Sequence, residues 1–146
     1  MRRFLMCAAV LTVAWAGSVG YAQMMKVTNV EEYKKAMQAI GGSFGGANKA
    51  IASGAMADAK TQLATAKMTM MAVQKFWADN KKDDPAMIAQ DSVAKMDALD
   101  KALAAGDTAT VTAAVKAVGG TCGSCHMKYR DQDPTTKAYS FKPGVL

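Results

Sequence analysis

The residues best suited to chemistry lie close together near the C-terminus. Cys122, Cys125 and His126, the only histidine of the chain, form the pattern Cys-x-x-Cys-His. This pattern is the attachment motif of c-type haem, in which both thiols bond to the haem vinyl groups and the histidine ligates the iron. One turn of helix presents both sulfurs to one edge of a macrocycle. The pattern therefore predicts one covalently attached haem.

Other chemistries that use paired cysteines fit this motif less well. A thioredoxin-like dithiol needs its cysteines at the start of a helix after a strand, where the helix N-terminus lowers the thiol pKa, but no strand pattern precedes Cys122. A structural zinc site needs about four ligands, and the chain has no second ligand pair. A disulfide is the simplest alternative, but it leaves His126 without a role. We therefore predict haem attachment, with a thiol-disulfide oxidoreductase as the competitor from another functional class.

The first 22 residues have the order of a secretory signal peptide. Two arginines precede an apolar run, and small residues follow up to Ala22. We expect cleavage after Ala22, which removes Cys7 and leaves 124 residues, enough for one domain with a hydrophobic core. The apolar run is short for a membrane span, so we expect no span after cleavage, with an uncleaved N-terminal anchor as the alternative. These features predict an exported, periplasmic protein.

Charge and composition exclude several functional classes. Cleavage removes two arginines and no acidic residue, which lowers the formal net charge from +6 to +4. Lysine and aspartate are interleaved, as in K-K-D-D at residues 81–84, and there is no basic cluster with aromatic residues that would indicate nucleic-acid binding. The modest positive charge favours an acidic redox partner. Because no acid–base pair or nucleophile accompanies the haem motif, we do not predict an enzyme.

Helix-forming residues dominate the chain after residue 22, and apolar positions recur in steps of three and four. The capping box T-x-x-E at residues 28–31 predicts the start of the first helix. Asp84 before Pro85 predicts the start of the third helix, and Asp107 or Thr108 caps the fourth. The predicted helices cover about residues 29–53, 56–78, 85–105 and 108–130.

Four helices of about 20 residues joined by short turns predict an all-α fold, an antiparallel up-down-up-down four-helix bundle. We assign residues 1–22 to the signal peptide, 23–131 to the haem-binding bundle and 132–146 to an irregular tail. Four glycines weaken the first helix and indicate that another helix or a flat prosthetic group approaches its backbone; they are Gly41, Gly42, Gly45 and Gly46. In this topology the haem lies near one end of the bundle.

These features resemble the class II cytochromes c, which comprise cytochrome c′ and its low-spin, methionine-ligated relatives. The resemblance covers about residues 30–130 and is strongest at C-G-S-C-H, with G-G-T before it and Tyr129-Arg130 after it. The stretch E-Y-K-K-A-M at residues 32–37 adds to it. The resemblance implies one haem c with its iron, a four-helix bundle and, as in many members, a homodimer formed through the first two helices.

The resemblance also implies roles for individual residues. Cys122 and Cys125 correspond to the thioether sites, and His126 corresponds to the proximal iron ligand. Arg130 matches the basic residue that lies near this histidine in the family. Lys34 stands where the family usually has an arginine that reaches a haem propionate; a lysine keeps the charge but loses the planar guanidinium fork.

The residue that faces the iron opposite His126 decides the function. The resemblance places Met37 there, and the bundle topology independently brings the start of the first helix and the end of the fourth to the same end. A methionine on a helix stripe is often core filler, and Met70, Met71 and Met87 are reserve candidates. Ligation by Met37 implies a low-spin haem of raised potential and a one-electron carrier.

An open sixth site implies a different function. The iron then faces an apolar pocket lined by Met37, Ile40, Phe44 and Trp77, where a diatomic gas such as NO or CO binds, as in cytochrome c′. Phe76 and Trp77 are either core aromatics or a wall that keeps water from the iron. We predict the electron carrier, with the gas-binding protein as the alternative.

Overall fold

The computed structural model describes residues 26–146, so the predicted signal peptide and Cys7 lie outside the described residues. Four helices account for most of the described chain, and a short two-stranded hairpin follows them. This confirms the predicted all-α four-helix bundle. The elements are α1 (Val30–Ala52), α2 (Met56–Asp79), α3 (Asp83–Ala105), α4 (Thr108–Tyr129), β1 (Arg130–Gln132) and β2 (Tyr139–Phe141).

Side chains cap two of the four helices, α1 and α4, and every helix begins within two residues of its predicted start. Asn29, and not Thr28, caps α1, because its side chain accepts a hydrogen bond from the backbone of Glu32 (2.9 Å). The Glu32 carboxylate in turn accepts hydrogen bonds from the backbone and hydroxyl of Thr28. The prediction that Asp84 caps α3 is wrong, because α3 already begins at Asp83, after Lys82, and no side chain caps it. Pro85 is the third residue of the helix, where a missing N–H is still harmless.

The two ends of the connection between α3 and α4 agree with the sequence prediction. Gly106 takes a left-handed conformation (φ 74°) and ends α3. The carboxylate of Asp107 accepts hydrogen bonds from the backbone of Ala109 and Thr110 and so caps α4. The short connections between successive helices place neighbouring helices side by side and antiparallel.

The core consists of apolar side chains from all four helices. Consecutive helices pack closely, α1 against α2, α2 against α3 and α3 against α4, whereas α1 and α4 have no comparable direct packing. The largest fully buried side chains are Trp77, Leu63, Met96, Leu99, Val73 and Val118. Within residues 26–146, no helix combines the length and the apolarity needed to cross a membrane.

The glycines of α1 differ from the expectation of a close helix contact. Among the described residues, no neighbour lies within 4 Å of the position that a Cβ would occupy at Gly41, Gly42 or Gly45. Only Gly46 has a close neighbour, the side chain of Gln62 at 3.2 Å. Gly41, Gly42 and Gly45 are therefore not required for helix packing, whereas Gly46 lies close to α2. Gly41 borders a cavity described below.

The segment after α4 forms a hairpin, in contrast to the irregular tail that we expected. β1 and β2 pair antiparallel, with Arg130 opposite Phe141 and Gln132 opposite Tyr139. The turn is stabilised by Asp133, whose carboxylate accepts hydrogen bonds from the backbone N–H groups of Thr135 (2.8 Å) and Thr136 (2.6 Å). Phe141 packs against the core, which gives the pairing a hydrophobic anchor.

Candidate functional site

A cavity of about 410 Å³ lies between the start of α1 and the end of α4. Its walls come from three parts of the chain: α1, the segment from Cys125 to Arg130, and β2 with the residue before it. This volume is within the usual range of cofactor and ligand sites. The lining residues are Tyr33, Lys34, Met37, Gln38, Cys125, His126, Tyr129, Arg130, Ala138, Tyr139, Ser140 and Phe141.

A second, smaller cavity of about 150 Å³ adjoins the first and extends toward the core. The two cavities share Tyr33, Met37, Cys125 and His126 as lining residues. The inner wall is almost entirely apolar and includes Cys122, Ile40, Gly41, Phe44, Met70, Val73, Ile88, Ala89 and Ser92. The two spaces together separate the haem-motif end of α4 from α1.

The structure brings the six predicted site residues to this pair of cavities. Lys34, Met37 and Arg130 line the larger cavity, Cys122 lines the smaller, and Cys125 and His126 line both. Met37 also borders both cavities, so it shares its space with His126 across the gap between α1 and α4. The placement agrees with the topology argument, while the individual roles in haem binding stay predictions.

The other methionines are less well placed for the iron. Met70 lines the smaller cavity and is the one reserve candidate that borders the site. Met71 and Met87 are exposed, with 44% and 60% of their surface accessible, and line neither cavity. Helical periodicity placed all of these residues on helices, but only the packing of the helices decides which of them face the cavity.

The pKa values of the two thiols are raised, whereas a redox-active dithiol has a thiol with a lowered pKa. Burial raises the pKa of Cys125 to about 11, with further contributions from the neighbouring Cys122 thiol and Asp84. Burial also raises the pKa of Cys122. Both cysteines are free, and both lie near the C-terminal end of α4, where no helix N-terminus stabilises a thiolate. The geometry therefore gives no support to a thioredoxin-like function.

The surroundings of His126 favour the neutral form of its imidazole. Burial lowers its pKa below the ordinary value of 6.5, and the positive charge of Arg130 adds to this effect. The side chain is therefore mostly neutral at pH 7, which is the form that ligates a metal. Within residues 26–146, no three His, Cys, Asp or Glu side chains converge as a metal site. The donors instead border a space large enough for a flat prosthetic group.

Two cations lie on the wall of the larger cavity. Among the described residues, neither Lys34 nor Arg130 takes part in a salt bridge, although five other basic side chains do. The Arg130 guanidinium stacks over the ring of Tyr139, with 3.6 Å from its central carbon to the ring centroid. Two cations without carboxylate partners on one cavity wall suit an anionic group such as the haem propionates.

The aromatic residues at this end of the bundle form one cluster behind the cavity. The prediction that Trp77 lines the pocket is wrong: it is 1% exposed and borders neither cavity. Its indole packs against Tyr33 and Phe141, with 5.3 Å between the ring centroids in each pair, and against Tyr129 at 6.3 Å. Trp77 therefore supports three rings that do line the cavity.

The site also contains residues that the sequence did not suggest. Ala138, Tyr139, Ser140 and Phe141 form one wall of the larger cavity. The only signal in the sequence was the alternation of aromatic and polar residues in Y-S-F, which is short and lies among turn-forming residues. Recognising the wall required knowledge of where the tail returns.

The site fits a covalently attached haem, because the two thiols and the imidazole border the space between α1 and α4. In comparisons with known proteins, the family model described as Cytochrome C' matches residues 28–130. Searches of curated proteins and of solved structures found no match. The matched segment contains all four helices and ends at the first residue of β1.

Proposed function

Because the chain belongs to the cytochrome c′ family, we propose that it is a periplasmic, monohaem c-type cytochrome that carries single electrons. Membership of this family implies a covalently bound haem c with its iron. Haem supplies a reversible one-electron change at the iron, and the protein sets the potential through axial ligands, burial and nearby charge.

The residues of the cavity would hold the haem from several sides. Cys122 and Cys125 would supply the thiols for the thioether bonds, and His126 would provide a neutral imidazole to the iron. Lys34 and Arg130 place positive charge where the propionates need it. The apolar inner wall excludes water from the iron, which favours the less charged ferrous state.

The observation that carries the proposal is the position of Met37. It lies on α1, borders both cavities together with His126 of α4, and no close helix packing separates the two. If Met37 supplied its thioether to the iron, the iron would be low-spin and its reduction potential would be raised. An iron held in this way exchanges electrons without binding a substrate.

Optical spectra of the purified holoprotein test this proposal. We expect the wild-type protein to show a low-spin spectrum with a sharp reduced α peak and the weak long-wavelength ferric band that methionine ligation produces. Met37→Ala removes this band, whereas Met70→Ala keeps it, as does Met87→Ala, which changes an exposed side chain that lines neither cavity. A haem stain after denaturing electrophoresis reports covalent attachment separately. Loss of the band in Met70→Ala alone would identify Met70 as the ligand.

A second candidate function has a specific observation in its favour. The smaller cavity beside Met37 is apolar and large enough for a diatomic gas. If Met37 only packs over the iron, the protein is a five-coordinate binder of NO or CO. A high-spin spectrum in the wild type, shifted when CO is added, would support this function and contradict the electron carrier.

The periplasmic location rests on the segment that precedes the described residues. Arg2, Arg3, the apolar run and the small residues that follow it up to Ala22 support export. N-terminal sequencing of the protein purified from the producing cells should start at Gln23. A start at Met1 in a membrane fraction would instead support the uncleaved anchor.

A further inference from the structure

The hairpin after α4 is an addition to the part of the chain that the family model matches. The match ends at Arg130, and residues 131–146 lie beyond it. Nevertheless, four of these residues line the larger cavity, at positions 138–141. The cavity in which we propose that haem binds therefore has one wall made by residues outside the matched segment.

The hairpin is held in place by hydrogen bonds at both of its ends. At the turn, the backbone N–H of Asp133 donates to the carbonyl of Ala138 (2.9 Å), and Lys137 donates back to the carbonyl of Asp133 (3.0 Å). After β2, the backbone N–H of Lys142 donates to the carbonyl of Tyr129 (3.0 Å). The Lys142 ammonium also donates to the carbonyl of Met127 (2.8 Å), one of the free carbonyls at the end of α4.

Two aromatic side chains connect the hairpin to the site. Phe141 is half-buried, and its ring centroid lies 4.9 Å from that of Tyr33 and 5.3 Å from that of Trp77. Tyr139 lies on the same face of β2, two residues away, and stacks on the Arg130 guanidinium. Phe141 thus anchors the hairpin to the core, and Tyr139 holds a cation on the cavity wall.

We infer that this hairpin closes one side of the haem pocket, with Phe141 as its anchor and Tyr139 as the residue that positions Arg130. The inference rests on the proposed function, because it requires haem in the larger cavity. A closed wall limits the access of water and dissolved oxidants to the haem, and a positioned cation next to the propionates stabilises the ferrous state. Both effects raise the reduction potential.

Four single variants of the full-length holoprotein test the inference. Phe141→Ala removes the anchor, and Tyr139→Ala removes the ring on Arg130. We expect a lower reduction potential in both variants, and haem bleaching by hydrogen peroxide about tenfold faster in Phe141→Ala. Tyr139→Phe keeps the ring and should retain the wild-type potential. Leu146→Ala changes an exposed apolar residue of the same tail that lines neither cavity, and serves as the matched control.

A haem-free measurement separates this inference from the proposed function. After cleavage at Ala22, Trp77 is the only tryptophan, so its fluorescence reports on the cluster that contains Phe141. In the haem-free chain, Phe141→Ala should change the emission of Trp77 and accelerate deuterium exchange of the amides of β2, while Leu146→Ala changes neither. Tyr139 is exposed, so Tyr139→Ala should fold normally.

The outcomes that overturn the inference are distinct from those that overturn the function. Equal potentials and equal bleaching rates in the wild type, Phe141→Ala and Tyr139→Ala would show that the hairpin does not close the pocket. A lowered potential in Tyr139→Phe as well as Tyr139→Ala would show that the stacked ring is not what positions Arg130. A wild-type protein without covalent haem would overturn the proposed function, and the inference with it.

Discussion

Burial gives the residues of the C-x-x-C-H motif chemical properties that their identities alone do not reveal. The same desolvation raises the pKa of both thiols and lowers the pKa of His126, because it disfavours the charged form in each case. The motif predicted haem attachment from residue types and spacing. The environment adds a physical reason, since it disfavours a reactive thiolate and provides a neutral imidazole.

At the scale of a residue, we predict a pH dependence of the haem-free chain. The folded-state pKa of His126 lies below the unfolded value near 6.5, so the unfolded chain takes up the proton first as the pH falls. The contribution of His126 to stability is therefore full above this pH and is lost below it. Urea unfolding between pH 7.5 and 5.5, a range of about two units around the unfolded pKa, measures the effect.

His126→Gln is the control for this prediction, because it cannot titrate in this range. The variant should show a weaker decrease in stability with falling pH than the wild-type haem-free chain. An identical decrease in both proteins would assign the pH dependence to other groups. The positive charge of Arg130 contributes to the lowered pKa of His126. Arg130→Ala should therefore raise this folded-state pKa toward the unfolded value and weaken the loss of stability with falling pH.

At the scale of the element, capping side chains mark the starts of α1 and α4. The predicted start of α1 is correct to within one residue, but the predicted cap was Thr28. Two capping patterns overlap here, T-x-x-E at residues 28–31 and N-x-x-E at residues 29–32. Asn29 has a side chain that reaches the backbone N–H of Glu32, and Thr28 uses its own hydroxyl to donate to the Glu32 carboxylate. Which of two adjacent polar residues caps a helix depends on the backbone geometry at its start, and a sequence motif does not specify that geometry.

We predict that Asn29→Ala lowers the free energy of unfolding by about 1 kcal/mol, because a backbone N–H of the first turn loses its acceptor. Asn29→Ser keeps an acceptor at the cap and should retain most of the stability. Equilibrium denaturation with urea compares the two variants with the wild type. Equal losses in Asn29→Ala and Asn29→Ser would contradict the assignment of the cap.

The hairpin is the element that sequence analysis missed. Each of its strands has three residues, which is too short for an alternating pattern to stand out from a turn-rich tail. Besides its own hydrogen bonds, it makes contacts with distant parts of the chain through Phe141, which packs against Tyr33 and Trp77. Local propensity could not predict it, because the partners are far apart in sequence and meet only in the folded bundle.

At the scale of the whole molecule, the methionines divide into core residues and surface residues. Met96 is completely buried, whereas Met87 on the same helix is 60% exposed. We predict that Met96→Ala costs about 2–5 kcal/mol of unfolding free energy, because it leaves a cavity in the core. The matched variant Met87→Ala should change the stability by no more than about 0.5 kcal/mol.

Chemical denaturation of both variants in the holoprotein checks this prediction. The haem spectrum should remain that of the wild type in each, since neither residue lines the cavities. A small effect of Met96→Ala would mean that the core collapses around the deleted side chain. A large effect of Met87→Ala would show that its exposed side chain forms contacts outside the single chain.

The gap between α1 and α4 predicts that a haem bound there stabilises the two helix ends that face it. Consecutive helices pack on each other directly, but at this end α1 and α4 face a cavity. In a Cys122→Ala, Cys125→Ala double variant without attached haem, we expect faster deuterium exchange at the start of α1 and the end of α4. The amides of α2 and α3 should lose less protection, because these two helices pack closely on each other and border only the smaller cavity.

Equal exchange in the haem-free and haem-bound proteins would show that these two helix ends are stable without the prosthetic group. Exchange that is faster throughout the bundle would show that haem is needed for the whole fold. The expected local effect distinguishes a haem that fills a preformed gap from one around which the chain folds.

The sequence by itself determined the haem motif and the four-helix bundle, because both depend on local features: residue types within one helical turn, helical periodicity and caps. Family membership followed from the same stretches. Only the tertiary structure decided that Met70 borders the site while Met87 does not, that Trp77 lies behind the cavity, and that Tyr139 and Phe141 form its wall. These facts depend on how helices rotate against each other and on where the tail returns, and both are set by contacts between residues far apart in the chain.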